Sequence, residues 1–172
     1  MQRQPERLQF DRLATPIGEA LLVTDQDGVL RALDFADYEH RMHRLLRIHY
    51  GGTSLSQGHA PQQLRHRLQR YFEGDLRVLE TIEWRTAGTE FQRSVWRALT
   101  TIGVGMTTSY GALARTLGMP KAARAVGLAN GSNPVGIVVP CHRVIGANGA
   151  LTGYGGGLHR KQWLLRHEGA LR

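Results

Sequence analysis

Cys141 is the single cysteine of a 172-residue chain, and it stands in the run Pro140-Cys141-His142-Arg143-Val144. A thiol becomes a nucleophile when a neighbouring base or positive surroundings stabilise its thiolate. His142 and Arg143 supply both next door, and backbone geometry decides whether the imidazole reaches the sulfur directly or through water. Such a base needs a third group to orient it, preferably a carboxylate, and between residues 86 and 172 the acids are Glu90 and Glu168. The competing reading is a small inert hydrophobe, because the stretch 137–145 is apolar apart from its central residues. A lone cysteine excludes an intramolecular disulfide and any multi-cysteine zinc site. The pair His167-Glu168 is no zinc motif, since no second histidine follows at the required spacing.

Elements must position these groups. Leu158 to His167 reads as an apolar helix, with Glu168 at its end and Gly169 as its stop. Upstream, Thr89-Glu90-Phe91-Gln92 has the form of a capping box before an apolar stripe of Phe91, Val95, Leu99 and Ile102. Ser109 caps a short helix over 110–117, Gly118 ends it, and Met119-Pro120 opens a second over about 120–130. Two short helices joined by a glycine-containing turn form a helix-turn-helix pattern. The second carries Lys121 and Arg124 among Ala122, Ala123, Ala125 and Gly127, small residues that suit either a close helix contact or close approach to a groove. The glycine-rich run Gly153-Tyr154-Gly155-Gly156-Gly157 matches neither a dinucleotide fingerprint nor a phosphate loop.

Charge points the same way as the helix pair. The net charge is +8. Residues 1–85 carry 12 arginines against 12 acids, whereas 86–172 carry eight arginines, Lys121 and Lys161 against Glu90 and Glu168 alone. The whole excess therefore lies in the second half, as expected for a polyanion partner, most simply nucleic acid. No run approaches the ~20 apolar residues of a membrane span, and no secretory signal is visible. A reduced, cytoplasmic setting is expected.

The first half reads as a strand meander over 10–14, 20–24 and 29–35, punctuated by turns at 15–18 and 25–28. A helix over 38–50 follows, with Met42, Leu45, Leu46 and His49 on one face. Residues 51–60 read as a loop, Pro61 opens a helix carrying Leu64, Leu68, Tyr71 and Phe72, and 75–84 reads as a strand. His40, His43, His49, His59 and His66 form no metal-ligand pattern. The expected architecture is an α/β N-terminal domain over 1–85, a small sheet with helices, followed by a mainly helical domain over 86–172 containing the helix-turn-helix.

Pro140-Cys141-His142-Arg143-Val144 resembles the active-site signature of the 6-O-alkylguanine-DNA alkyltransferases. Further segments follow in family order: Phe91-Gln92-x-x-Val95-Trp96, Tyr110-Gly111-x-Leu113-Ala114, Ala122-Ala123-Arg124-Ala125-Val126-Gly127, Asn130-Gly131-x-Asn133-Pro134, Gly153-Tyr154 and Trp163-Leu164-Leu165-x-His167-Glu168-Gly169. The likeness is dense over 89–171, loose before that, and strongest to the constitutive bacterial, single-cysteine type.

The resemblance implies a DNA-repair methyltransferase that acts once. A damaged guanine rotates out of the duplex, and the cysteine sulfur takes its alkyl group as a thioether. By position, Cys141 is then the nucleophile, His142 the base acting through water, and Glu168 its orienting group. Asn133 ties the recognition-helix region to the active-site turn. Tyr110 helps rotate the nucleotide and donates a proton to the leaving base. Arg124 fills the gap in the stack, with Lys121, Ala122, Ala123 and Gly127 along the DNA-binding surface. Tyr154, Gly155, Gly156 and Val144 line the substrate pocket. Some members have a serine where Gly155 stands, so here backbone N–H groups alone would bind the base oxygen. Others hold a structural zinc that this chain, with one cysteine, is expected to lack. The implied partner is duplex DNA carrying 6-O-alkylguanine, engaged by a monomer without metal, cofactor or membrane. The rivals are two kinds of non-catalytic helix-turn-helix DNA-binding protein, a DNA-damage binder of the same fold and a transcription regulator, and a cysteine hydrolase. Cys141 argues against the first, the lack of any sign of a sensing domain or dimer contacts in 1–88 against the second, and the basic half with its helix-turn-helix against the third.

Overall fold

The computed structural model describes residues 6–51 and 54–172. The chain forms two compact units, Met1–Gly88 and Thr89–Arg172.

The first unit is built on a sheet of β1 (Arg7–Thr15), β2 (Gly18–Thr24), β3 (Leu30–Phe35) and β4 (Ser54–Gln57), in the order β3-β2-β1-β4. The first three strands form the expected meander, antiparallel throughout, and β4 lies parallel to β1. Helices α1 (Glu39–Tyr50) and α2 (Gln62–Phe72) complete the unit. Met42 and Leu46 of α1 are buried with Leu8, Phe10, Leu21, Val23 and Ala32 of the sheet.

Three local expectations give way here. The stretch 51–60 contains β4, which the loop reading missed. It is a short edge strand with only Leu55 packed inward, so its serines and glutamine stay in water and leave no apolar alternation to read. Residues 75–84 hold a 3₁₀ segment, Leu76–Thr81, in place of the expected strand, and Trp84 makes an isolated parallel bridge to Leu30; Val78, Leu79 and Ile82 are all buried, a spacing that suits a helical turn. Pro61 precedes α2 as its cap residue, with an extended ψ of 137°, instead of serving as the first helical residue.

The second unit is mainly helical. Helix α3 (Glu90–Leu99) starts at the expected capping box: Gln92 N–H donates to Thr89 Oγ1 at 3.1 Å, and Thr89 N–H donates to Gln92 Oε1 at 3.0 Å. Two-residue β5 (Thr108–Ser109) leads directly into α4 (Tyr110–Thr116), where Ser109 Oγ accepts from Ala112 N–H. Gly118, at φ 72°, turns the chain, and the Met119 N–H reaches back to the Ala114 carbonyl to close the helix. Helix α5 (Ala123–Gly131) follows. Its start is later than the sequence reading: the Ala122 N–H bonds the Met119 carbonyl, so Pro120 and Lys121 form a turn and Ala122 is the cap residue. The proline's fixed φ serves the turn and not the first helical position. Strand β6 (Val144–Ile145) pairs parallel with β5, and α6 (Leu158–His167) ends the fold. Among the described residues no helix is long and apolar enough to cross a membrane.

Candidate active site

The residues before Cys141 fold into a tight, buried loop held by one amide. Asn133, 2% exposed, accepts the Val135 N–H at 3.0 Å and donates through Nδ2 to the Val139 carbonyl at 2.8 Å. Within this loop Ile137 takes a φ of 68°, and the Val138 N–H bonds the Gly136 carbonyl across it. That is the strained hand of the γ-turn, rare for a β-branched residue. A second, relaxed γ-turn follows: Pro140 lies at φ −83°, ψ 63°, and the Cys141 N–H reaches the Val139 carbonyl at 2.8 Å. Cys141–Arg143 then make one 3₁₀ turn, which leads into β6.

This turn sends three consecutive side chains to separate tasks. Cys141 is 6% exposed and His142 is fully buried. His142 Nε2 lies 3.0 Å from Glu168 Oε1. Arg143 grips the same carboxylate, Nε to Oε1 and Nη2 to Oε2, and sends Nη1 to the Ile102 carbonyl at 2.6 Å. Burial opposes ionisation of Glu168, but the hydrogen bonds and charges of His142 and Arg143 outweigh it and hold the carboxyl well below the usual carboxylate range. Burial pushes the His142 imidazole below its ordinary value against the pull of Glu168. The pair is therefore a neutral imidazole facing a carboxylate. The carboxylate can only accept, so the hydrogen-bond network assigns the His142 hydrogen to Nε2 and the lone pair to Nδ1. Nδ1 is buried and has no hydrogen-bond partner among the described residues. His142 is thus held in the tautomer that can accept a proton at Nδ1.

Glu168 arrives by helix geometry. It follows the last residue of α6, and its N–H still bonds the Leu164 carbonyl, while Gly169 at φ 80° turns the chain away. Lys161, Leu164, Leu165 and Glu168 are all buried, one core-facing stripe at positions i, i+3, i+4 and i+7.

The other expected site residues fall into two groups. Around the turn, Tyr154 presents its ring edge-on to His142 with centroids 6.5 Å apart, and Val144 is fully buried. Gly155 and Gly156 follow Tyr154, and Arg160 Nη1 donates to the Gly156 carbonyl at 2.9 Å. Tyr110, at the start of α4, bonds Thr152 through its hydroxyl at 3.1 Å. On the surface, Arg124 is exposed near the start of α5, and Lys121 is exposed in the turn before it, not on the helix. Ala122 and Ala123 are half-buried at the helix start. Gly127 faces Tyr110: a Cβ built there would stand 3.6 Å from the tyrosine ring.

Three contributors went unread in the sequence. Arg143 reads in the sequence as a flanking charge, yet an arginine inside an apolar run must bring a partner with it. Lys161 is fully buried, its Nζ donating to the Val144 carbonyl at 2.6 Å and the Thr152 carbonyl at 2.7 Å. Burial lowers it to about 8, against the attraction of the Cys141 thiolate. Its place on the Leu164-Leu165-Glu168 stripe was the available signal. Asn130 of α5 is 4% exposed and points Nδ2 at the Cys141 carbonyl, 3.4 Å away.

Comparison with known proteins accounts for both units. Residues 11–84 match the family model for the 6-O-methylguanine DNA methyltransferase ribonuclease-like domain, and residues 90–170 match that for the DNA-binding domain. The chain is 53% identical over 167 residues to a methylated-DNA–protein-cysteine methyltransferase of Salmonella typhimurium, covering 96% of this chain and 98% of that one. A Methanosarcina acetivorans protein of the same name is 43% identical over 156 residues, with 91% and 95% covered. A Mycobacterium tuberculosis relative solved in complex with DNA is 40% identical and superposes with a TM-score of 0.77 over 95% of this chain and 93% of that one. Sequence and fold agree across both units, and the chain belongs to the 6-O-methylguanine DNA methyltransferase family.

Proposed function

We propose that this protein repairs duplex DNA by taking the alkyl group of 6-O-alkylguanine onto its own Cys141, once per molecule. The observation that carries the assignment of roles is the His142–Glu168 pair, which leaves a buried accepting Nδ1 on the residue that follows Cys141 in the chain. His142 takes the thiol proton at Nδ1 through a water. Its nascent positive charge faces Glu168, which accepts at 3.0 Å. The Cys141 sulfur attacks the alkyl carbon, the carbon–oxygen bond breaks, and its electron pair stays on the guanine. Tyr110 gives its hydroxyl proton to the departing base. His142 then releases the thiol's proton to solvent and Tyr110 regains one from it, so the net change is one proton from the thiol to the guanine and the steps balance. The thioether product has no leaving group that an ordinary step would displace, and the reaction stops at one equivalent.

Cys141→Ser separates this reading from a binding protein of the same fold. With a duplex labelled in the 6-O-methyl group, the wild type should accept one equivalent of label and the serine variant none, because an alcohol is far less ionised than a thiol near neutral pH. The serine variant should still bind duplex. Label on the serine variant, or turnover beyond one equivalent by the wild type, would overturn the assignment. Arg124 is the group to enter the stack vacated by the base, and Lys121 to contact phosphate.

A further inference from the structure

We infer that Thr152, anchored by Lys161, is a positioning residue for the hydroxyl of Tyr110. The inference rests on the role given above to Tyr110 as proton donor. The Tyr110 hydroxyl has one hydrogen-bond partner among the described residues, Thr152 Oγ1 at 3.1 Å. The flank of its ring faces Gly127, where no side chain intervenes. A threonine on an exposed loop would hold nothing if the loop were free. Here the loop is tied down, because Lys161 Nζ donates to the Thr152 carbonyl and also to the carbonyl of Val144. Val144 pairs with Thr108 in β5, and Ser109 of that strand is the residue before Tyr110. The contacts thus close a ring that runs from Tyr110 through Thr152, Lys161, Val144 and β5 back to Tyr110.

This ring suits a phenol that must give up its proton. When Thr152 donates to the Tyr110 oxygen, the phenolic hydrogen is left free for the base. The same bond then stabilises the phenolate that forms when that hydrogen leaves. Threonine's branched Cβ limits its rotamers, so a fixed backbone carbonyl also fixes the hydroxyl.

Single-turnover transfer from a 6-O-methylguanine duplex tests the inference in a double-mutant cycle. Thr152 is exposed, so its variants should fold. Thr152→Val should slow transfer roughly two- to tenfold, the range one net hydrogen bond allows. In a Tyr110→Phe background the same change should add nothing, since the hydroxyl it served is gone. Thr152→Ser should recover most of the loss. Alkylation of Cys141 by iodoacetamide, which needs no guanine to leave, should respond far less than guanine transfer. Equal slowing by Thr152→Val in both backgrounds would overturn the inference, as would a serine variant as slow as the valine one. If Tyr110→Phe is slow while Thr152→Val is fast, this inference alone fails. If Tyr110→Phe transfers at the wild-type rate, the proton-donor reading falls and takes this inference with it.

Discussion

Arg143 holds Glu168 by two parallel hydrogen bonds, Nε to Oε1 and Nη2 to Oε2, each 2.9 Å long and buried. The fork matches the planar carboxylate and leaves it one main direction in which to present charge, towards His142. Glu168 therefore holds two partners at once, Arg143 and His142, and its removal should register in stability and, on the reading proposed above, in transfer.

Glu168→Gln is expected to slow single-turnover transfer and also to destabilise the fold. A neutral amide supports the His142 cation less well, and it leaves the buried Arg143 without its counter-charge, a loss of about 3–5 kcal/mol by comparison with other broken buried pairs. Urea midpoints and transfer rates on the same preparations check this. Adding Arg143→Met should recover much of the stability but not the rate. A Glu168→Gln protein with unchanged rate would show that the carboxylate orients nothing.

Stability should fall as the solution is made acid, beginning near pH 6.5. The folded value of His142 lies below its ordinary 6.5, so the unfolded chain takes up a proton there before the folded one does. His49, lowered by burial, acts in the same window. Glu168 is also lowered from its ordinary 4.5, so its contribution is complete above that pH and is lost as pH falls through the folded value. Urea midpoints from pH 8 to pH 4 should therefore drop continuously, more steeply below 4.5, and Glu168→Gln should flatten the lower part. Rising stability between pH 6.5 and 4.5 would contradict these shifts.

Lys121 and Arg124 should separate in function although three residues apart. Lys121→Ala should weaken binding to every duplex and lower the slope of log affinity against log salt by ~0.9, one phosphate contact. Arg124→Ala should slow transfer more than it weakens binding. Fluorescence anisotropy across a salt series, paired with transfer rates, distinguishes the two. Equal effects of Arg124→Ala on both quantities would count against its place in the stack.

Thr89→Ala tests the entry to the second unit. Losing the side-chain acceptor at the start of α3 should cost about 1 kcal/mol, while Thr89→Gly should cost only a few tenths relative to wild type. Thr89 is exposed and Gln92 half-buried, so the change in urea midpoint should come without a change in Cys141 reactivity.

What the sequence disclosed follows from where each signal resides. Thr89 with Gln92, Ser109 with Ala112, and Gly169 after Glu168 are short-range devices, and each lies where local chemistry put it. Cys141, His142 and Glu168 stood out because a thiol, an imidazole and a carboxylate are rare together in so basic a half, and the fold pairs the last two. Strand β4 was not legible, because a solvated edge strand has no pattern of its own and is defined by β1 alongside it. The late start of α5 was hidden because Pro120 serves a turn as well as it serves a first helical residue. Lys161 and Arg143 were passed over because charge suggests surface, whereas both are buried against partners distant in sequence: the Thr152 carbonyl for one, Glu168 and the Ile102 carbonyl for the other.

The Asn133 amide makes its bonds to main-chain atoms of Val135 and Val139, and that has a consequence for which sequences this loop can accept. The path of the chain into Cys141 is held by backbone bonds and the Asn133 amide, so apolar side chains at 135 and 137–139 serve mainly to fill space. A library randomised among apolar residues at those four positions, with Asn133 kept, should yield many active members, Ile137→Val foremost among them. Conversely, Asn133→Leu, close in volume, should lose the left-handed turn at Ile137 and with it the aim of the thiol, however well the rest of the core is packed.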